Sequence, residues 1–291
     1  IQWIILMVGL IGIGIPMGYI AIGGWKSLST ALPQSFLPMT EISFVTFFNW
    51  LITIVPIWFV GMTLYQRIYA SRDEKTAKKA WHIAGLLEWP IMAFMGILLG
   101  LFAKVGFEQG MFTDMGYAPG TTIDAELGLP LFLRTILPVG LMGLMLSSYF
   151  SAIISTADSC LMAASGNFTT DILRFFKSER KNEVRYSQWV TLIIGVLAVL
   201  LATRMQNVLE LMLYSYAFMV SGLLVPVLAM LILKKPSPRA AIAAMVAGGT
   251  STLILIITQV SLPFGLDANF YGIMISLLAF VGVQRLRTRQ A

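Results

Sequence analysis

The chain alternates long apolar segments with short polar stretches along nearly its whole length. The apolar segments have about the 20-residue length with which a helix crosses the hydrocarbon core of a bilayer. We count eight of them, at residues 2–24, 41–68, 78–105, 136–165, 184–204, 207–233, 237–260 and 267–284. This pattern predicts an all-α polytopic membrane protein with about eight transmembrane helices.

One connecting region is too long for a simple turn. Residues 106–135 separate the third and fourth segments, whereas connections between packed helices are usually about 2–8 residues long. The stretch DAELGLPLFLRTI, residues 124–136, has the apolar spacing of a short helix. We expect this extra helix to lie outside the membrane.

Basic residues are concentrated in every second connection. Lys and Arg cluster in residues 67–79, 174–185, 234–239 and 284–290, whereas residues 106–135 are acidic. Cytoplasmic loops of membrane proteins carry an excess of Lys and Arg. We therefore expect the four basic stretches, and with them the C-terminus, to face the cytoplasm in a protein of the plasma membrane.

Composition supports the membrane assignment and excludes several classes of function. Apolar residues make up 57% of the 291 residues and charged residues 12%, against about 25% charged residues in soluble proteins. The net charge of +6 comes from the basic connections, so it indicates topology rather than nucleic-acid binding. A single cysteine, Cys160, excludes an intrachain disulfide. A single histidine, His82, and the lack of an HExxH pattern count against a membrane enzyme.

The fourth apolar segment carries hydroxyl groups and a carboxylate within SSYFSAIISTADSCLMAAS, residues 147–165. At helical spacing Ser155 and Ser159 share one face, and Thr156 lies beside them. Hydroxyl and carbonyl oxygens gathered at one depth are the hard ligands that a dehydrated Na⁺ requires. The alternative is that each hydroxyl only bonds back to a carbonyl of its own helix. Asp158 fits that alternative less well, because a carboxylate at membrane depth usually lines a cavity or meets a partner.

Two stretches resemble those of a known transporter family. SAIISTADSCLMAASGNFTTDI, residues 151–172, closely resembles the signature helix of the sodium:solute symporters, which include sodium/glucose, proline, pantothenate and choline transporters. VPIWFVGMTLYQRIYASRDEKTAKKA, residues 55–80, looks like the sixth core helix of that family and its following cytoplasmic loop. Both occur in the order and spacing of the family, so the chain is identified as a member.

The resemblance implies a fold of two inverted five-helix halves, with ion and solute bound near the bilayer midplane. Residues 1–233 then correspond to core helices five to ten, and residues 237–284 to two peripheral helices. The first four core helices of the family would precede this chain, so we expect an N-terminally truncated member. All of residues 1–291 would belong to one transmembrane transporter domain.

The resemblance also implies a sodium site. The conserved site of the family is shared between core helices one and eight, and the eighth corresponds to the fourth segment here. Carried over residue by residue, it maps onto Ala152 and Ser155, with Thr156 in the paired hydroxyl position. Some members bind a second Na⁺ through the position of Ser159. Together with Asp158, these residues form the predicted sodium-binding set.

The predicted solute-binding residues are Glu88, Trp58, Tyr214 and Ser215. Glu88 lies roughly 14 Å of helix beyond Lys79, and an acid at that depth is a functional candidate, although a structural hydrogen bond is the alternative. By ungapped matching it occupies the position of a substrate-contacting lysine in sugar-transporting relatives, which favours an amine-bearing solute. Trp58 offers a ring face to such a cation, with ordinary packing as the alternative. Tyr214 and Ser215 are suited to a cavity wall in the sixth segment.

These features predict sodium-coupled symport of a small organic solute by alternating access, with Na⁺ as the co-transported ion and no organic cofactor. The alternative is a transporter-like sensor module, because some relatives fuse such a module to a cytoplasmic signalling kinase. We expect no enzymatic activity. The expected partners are the solute and the lipid bilayer, and not nucleic acid.

Overall fold

The structure is a computed structural model that describes residues 2–31, 42–173, 183–204 and 207–288. Most of the described residues are helical, and no β-strand occurs among them. The α-helices are α1 (Gln2–Gly9), α2 (Ile15–Ala21), α3 (Gly24–Ala31), α4 (Phe44–Val60), α5 (Met62–Tyr69), α6 (Glu74–Leu87), α7 (Phe94–Glu108), α8 (Ala125–Ile136), α9 (Val139–Asn167), α10 (Glu183–Ala202), α11 (Val208–Ile232), α12 (Pro238–Thr258) and α13 (Ala268–Thr288). Three π-helical turns continue these helices, at Leu10–Gly14, Glu88–Ala93 and Phe168–Leu173.

The eight expected membrane crossings are confirmed within the described ranges. The helical stretches long and apolar enough to span a bilayer are Trp3–Ala21, Phe44–Tyr69, Glu74–Glu108, Val139–Ile172, Val184–Ala202, Val208–Ile232, Pro238–Thr258 and Ala268–Leu286. The fourth continues past its predicted end at residue 165. The predicted start of the second, residue 41, lies outside the described residues. Helix α8 is the extra short helix expected at 124–136.

The connection between the second and third spans is more helical than expected. The sequence predicts a basic loop there, whereas residues 70–73 alone separate α5 from α6. The Asp73 carboxylate caps α6 by accepting from the Thr76 backbone N–H at 2.7 Å, and this bond lowers the pKa of Asp73 below its ordinary value. Lys78 and Glu74, one turn apart, form an exposed ion pair at 2.6 Å that supports α6 only weakly.

The helices form two compact units. Unit 1 comprises Ile1–Pro38 and Ile68–Met162, and unit 2 comprises Met39–Arg67 and Ala163–Ala291. The expectation of a single transmembrane domain over the whole chain stays a prediction.

Unit 1 is held together by large apolar side chains. Helices α7 and α8 pack against each other, and Phe102, Phe112 and Phe132 are buried there. The Phe102 and Phe132 rings are tilted, with centroids 6.4 Å apart, a favourable arrangement for aromatic pairs. A Cβ on Gly18 of α2 would lie 2.9 Å from the Phe132 ring. The absence of a side chain at Gly18 therefore lets α2 pack closely on this aromatic core.

Unit 2 is built on the close approach of α11, α12 and α13. A Cβ on Gly272 of α13 would overlap Thr252 Oγ1 and would lie 2.8 Å from the Ser221 Cβ of α11. A Cβ on Gly248 of α12 would overlap the Ser221 carbonyl oxygen. Small residues of this kind let membrane helices pack backbone to backbone, where packing and hydrogen bonds rather than the hydrophobic effect drive association.

Helix α4 is joined to the rest of unit 2 by a hydrogen bond near a proline. Pro56 lies inside α4 and has no N–H, so the Ile52 carbonyl one turn earlier lacks its helical donor. Asn269 of α13 is fully buried. Its Nδ2 donates to the Ile52 carbonyl at 3.1 Å and to Thr53 Oγ1 at 3.2 Å. The Asn269 amide therefore replaces the hydrogen bond that the proline removes, as a spanning helix requires.

Replacing Asn269 with alanine should destabilise the folded protein by about 1–3 kcal/mol, because the Ile52 carbonyl is then buried without a donor. The same change in a Pro56→Ala background should cost about 1 kcal/mol less, because the backbone N–H at position 56 then bonds to Ile52. Unfolding by SDS in mixed micelles, followed by circular dichroism, measures both costs. Equal costs in the two backgrounds would show that Asn269 acts through Thr53 or packing alone.

Two glycines of α13 offer a matched test of the packing in unit 2. Gly272→Ala should destabilise the protein by about 1–3 kcal/mol, because the methyl group overlaps Thr252 and Ser221. Gly282 has no neighbouring atom within 4 Å of a Cβ, so Gly282→Ala should be neutral or stabilising by up to about 1 kcal/mol. The same micelle unfolding assay compares them. An equal effect of the two substitutions would contradict the close approach.

Candidate functional site

Four predicted sodium-binding residues share one side of α9, here called the hydroxyl face: Ala152, Ser155, Thr156 and Ser159. Helix α9 is continuous from Val139 to Asn167, and at 3.6 residues per turn these four positions fall within an arc of about 100°. Asp158 lies about 60° beyond the Ser155 edge of this arc. The structure therefore groups four of the five predicted residues and sets Asp158 to one side.

Two hydroxyl groups of this face bond to α9 itself. Thr156 Oγ1 donates to the Ala152 carbonyl at 3.1 Å, and Ser159 Oγ donates to the Ser155 carbonyl at 2.8 Å. This is the arrangement that the sequence leaves open as the alternative to ion binding. A hydroxyl that donates inward keeps lone pairs with which it can accept a cation. The Ala152 carbonyl, however, receives both the helical N–H and the Thr156 hydroxyl, which occupy its two lone pairs.

The hydroxyl face is open to its surroundings. Ser155 and Thr156 are exposed, as is Asp158, while Ala152 and Ser159 are half-buried. Among the described residues, no group of three or more His, Cys, Asp or Glu side chains is placed to hold a metal ion. A cation on this face would therefore rely on hydroxyl and carbonyl oxygens.

The first half of α9 fixes the helix within unit 1. Met145 is buried, and its side chain occupies the space that a Cβ on Gly9 of α1 would need.

Cys160, the single cysteine of the chain, is exposed in the second half of α9, one turn beyond Thr156.

Glu88 begins a π-helical turn. The third span, Glu74–Glu108, is α-helical on both sides of the turn Glu88–Ala93. Pro90 lies within this turn and supplies no N–H. Single π-helical turns inside α-helices occur frequently at functional sites. Glu88 is exposed. The sequence predicts the intramembrane acid but not the π-turn, for which the proline two residues later is the available signal.

The other predicted solute-contacting residues all belong to unit 2. Trp58 is half-buried and packs against the apolar cluster around Val220. Ser215 is exposed and donates to the Leu211 carbonyl at 2.8 Å. Of these residues, Tyr214 alone lines the large cavity of unit 2.

This cavity, here called the acidic cavity, has a volume of about 480 Å³. It lies among the N-terminal parts of α4, α11 and α13 and the C-terminal end of α12. Its polar wall groups belong to Thr53, Glu210, Tyr214, Gln259, Asp267 and Asn269. No Lys, Arg or His side chain is among the described residues of its wall.

The two carboxylates of the acidic cavity have different surroundings. Glu210 accepts hydrogen bonds from the Tyr214 hydroxyl at 2.5 Å and from Asn207 Nδ2 at 3.2 Å. The Asp267 backbone N–H donates to Asn49 Oδ1 at 3.2 Å. Its carboxylate makes no hydrogen bond or ion pair within the described residues, and burial raises the pKa of Asp267 above its ordinary value.

The pattern of the sequence gives little sign of this cavity. Asn49 of α4 donates to the Gly265 carbonyl at 3.0 Å across 216 residues of chain. The wall therefore depends on contacts between remote segments, which apolar periodicity does not report. The available local signal is an acid in the first turn of a spanning helix, Glu210, and another immediately before one, Asp267.

An all-α polytopic protein with polar residues concentrated inside its spans has the features of a membrane transporter. The model of the sodium:solute symporter family matches residues 1–248. Because this match covers more than half of the chain, the chain belongs to the sodium:solute symporter family.

Several characterised proteins are similar to the chain. The osmoregulated proline transporter OpuE of Bacillus subtilis (strain 168) is 28% identical over 229 residues, which are 77% of this chain and 45% of that protein. The sodium/glucose cotransporter of Vibrio parahaemolyticus is 25% identical over 232 residues, 76% of this chain and 42% of that protein. The chain thus spans less than half the length of these relatives. Both are transporters, in agreement with the expectation that the chain is not an enzyme.

The Asp267→Asn substitution should raise the melting temperature at neutral pH, because the ionised carboxylate is disfavoured by burial. The pKa of Asp267 is raised in the folded state. This penalty is therefore absent at pH values below the unfolded pKa of 3.8, and it is fully present at pH values above the folded pKa. The gain should therefore vanish when the melting temperature is measured below that value.

Asp73→Ala is the comparison for this change. Asp73 caps α6 and its pKa is lowered, so its removal should lower the melting temperature at neutral pH. Intrinsic fluorescence during heating in detergent measures both. A melting temperature that falls in Asp267→Asn would show that its carboxylate has a stabilising partner.

Proposed function

We propose that the protein is a sodium-coupled symporter that carries a small organic solute by alternating access. The observation that carries this proposal is the hydroxyl face of α9, found in a chain that belongs to the sodium:solute symporter family. Coupling requires that Na⁺ and solute favour the same state of the protein.

Na⁺ binds on the hydroxyl face in this proposal. The ligands are the Ala152 carbonyl and the Ser155 and Thr156 hydroxyl oxygens, with Ser159 at a second position. A rotation of the Thr156 side chain away from the Ala152 carbonyl frees that oxygen for the ion, so ion binding replaces an intrahelical hydrogen bond. Asp158, to one side of the face, attracts the cation electrostatically without coordinating it.

The solute carries an amine and meets Glu88. A carboxylate in the middle of a spanning segment is costly unless it has a partner or faces water, and a cationic amine supplies the partner. The similarity to a proline transporter supports this class of solute, because proline carries a secondary amine. Trp58, Tyr214 and Ser215 stay predicted solute contacts, and of these three Tyr214 is the one that lines the acidic cavity.

The orientation in the membrane follows from the charge of the connections, and the direction of transport follows from the sodium gradient and the membrane potential. The basic connections and the C-terminus face the cytoplasm, and the membrane is the plasma membrane. Under an inside-negative potential, each inward Na⁺ releases about 2.3 kcal/mol per 100 mV.

The test is uptake of radiolabelled amines, amino acids and sugars by the complete native protein in proteoliposomes, with an inward sodium gradient. Ser155→Ala/Thr156→Ala should raise the Na⁺ concentration for half-maximal uptake by about tenfold or more, which corresponds to about 1.4 kcal/mol. Glu88→Gln should weaken uptake of amines selectively.

Two control variants match these changes. Thr250 of α12 is exposed and bonds back to the Val246 carbonyl at 2.5 Å, so Thr250→Ala removes an equivalent hydroxyl outside the hydroxyl face. Glu108→Gln removes a carboxylate from the same span as Glu88. Both should transport normally. Uptake that is indifferent to sodium and to Ser155 and Thr156 would refute the symport mechanism.

A further inference from the structure

We propose that the acidic cavity binds a small organic cation, at a site whose described wall belongs to unit 2 and includes neither Glu88 nor the hydroxyl face. The proposal does not depend on sodium coupling, because every residue that carries it belongs to unit 2. The volume of about 480 Å³ accommodates a small organic molecule, within the range of ligand pockets.

The charge of the wall selects a cation. Glu210 and Asp267 are the ionisable acids of the wall, and no basic side chain of the described residues lines it to neutralise them. The Glu210 carboxylate is held in place by its hydrogen bonds from Tyr214 and Asn207. A bound cation would supply the opposite charge that the protein itself does not place there.

The position of Asp267 immediately before α13 is not explained by helix capping. Asp73 and Asp124 also precede helices, and each accepts a backbone N–H, at 2.7 Å from Thr76 and at 2.9 Å from Glu126. The Asp267 carboxylate accepts no such bond within the described residues, although α13 begins at the next residue. Asp267 lines the cavity and is exposed, so its carboxylate oxygens are available to a ligand.

Asn269 also belongs to the cavity wall, and its Nδ2 is committed to Ile52 and Thr53. Its Oδ1 is buried and not accessible from the cavity. Asn269 therefore fixes the wall and leaves the polar contacts with a ligand to Glu210 and Asp267.

The loop that carries Asp267 is held in place before any ligand arrives. Asn49 of α4 donates to the Gly265 carbonyl at 3.0 Å and accepts from the Asp267 N–H at 3.2 Å. Tyr271 donates to the Pro263 carbonyl at 2.7 Å. Fixing the loop in advance reduces the entropy that binding must remove.

The remaining wall favours an organic ion over a bare metal ion. Leu213, Leu255, Ile256 and Val260 line the cavity, together with the Trp50 ring. Apolar side chains cannot complete the oxygen shell of a metal ion, whereas they can cover the carbon atoms of an organic cation. Trp50 also lines the cavity, and ammonium groups are attracted to aromatic rings.

The test compares piperidinium with tetrahydropyran, a neutral ring of the same shape, by isothermal titration calorimetry on the purified chain in detergent micelles. Empty micelles provide the blank. We expect piperidinium to bind about tenfold tighter than tetrahydropyran, and Asp267→Asn and Glu210→Gln each to weaken piperidinium binding by about tenfold.

Two charge-matched controls locate the site. Asp114→Asn and Glu108→Gln each remove an exposed carboxylate from unit 1, and neither residue belongs to a proposed site. Both should leave the dissociation constant within about twofold of the parent chain. The melting temperature of every variant shows whether it is folded; if Glu210→Gln unfolds, Asp267→Asn decides alone.

Several results would overturn the proposal. These are no binding of piperidinium, equal binding of tetrahydropyran, or unchanged binding in folded Asp267→Asn. Binding that is lost in Glu88→Gln but kept in Asp267→Asn would place the amine at Glu88, which removes this site and leaves the proposed symport intact. If piperidinium binding depends on Asp267 and the complete protein shows no sodium-driven uptake, the cavity site stands and the proposed symport is refuted.

Discussion

Unit 2 depends on one carbonyl group, that of Ile52, which Pro56 leaves without a helical donor. A spanning helix must pair its backbone groups within the protein, because lipid offers no donor. The Asn269 amide provides that donor from α13, and by doing so it brings the beginning of α13 against the first half of α4. Asn49 adds a second tie to the loop before α13. Thr53 and Asn269, which the first tie brings together, both line the acidic cavity, so the packing around Pro56 contributes to the shape of the cavity.

The polar groups of the two units are satisfied in different ways. In unit 2, buried amides pair with backbone carbonyls across helices, and the close approach of α11, α12 and α13 leaves no room for side chains at Gly248 and Gly272. In unit 1, the hydrogen bonds of the hydroxyl face among the described residues run to its own helix, and Glu88 stands exposed at a π-turn. Exposed oxygen atoms in a spanning helix are costly in lipid. This cost gives the hydroxyl face a physical reason to meet an ion or water.

The features that the sequence predicts well are those fixed by local constraints. The bilayer sets the length of a span, so eight apolar segments predict eight spanning helices, and the spacing of residues 124–136 predicts α8. Asp73 and Asp267 show where local reasoning ends. Both stand immediately before a helix, yet one caps it and the other does not. The Asp267 backbone instead contacts Asn49 across 218 residues of the chain, and local spacing does not report such a contact. Local spacing also missed the extension of α6 into the basic connection.

Cys160 gives the chain a built-in chemical reporter. It is the single cysteine, it is exposed, and it directly follows Ser159 on α9. A thiol is a soft group and therefore a poor ligand for a hard cation such as Na⁺. Alkylation at this position would alter the space beside the hydroxyl face without removing any of its oxygen atoms. Reaction rates with small maleimides can thus follow solvent access to this stretch of α9 in the unmutated chain, because no other thiol competes for the reagent.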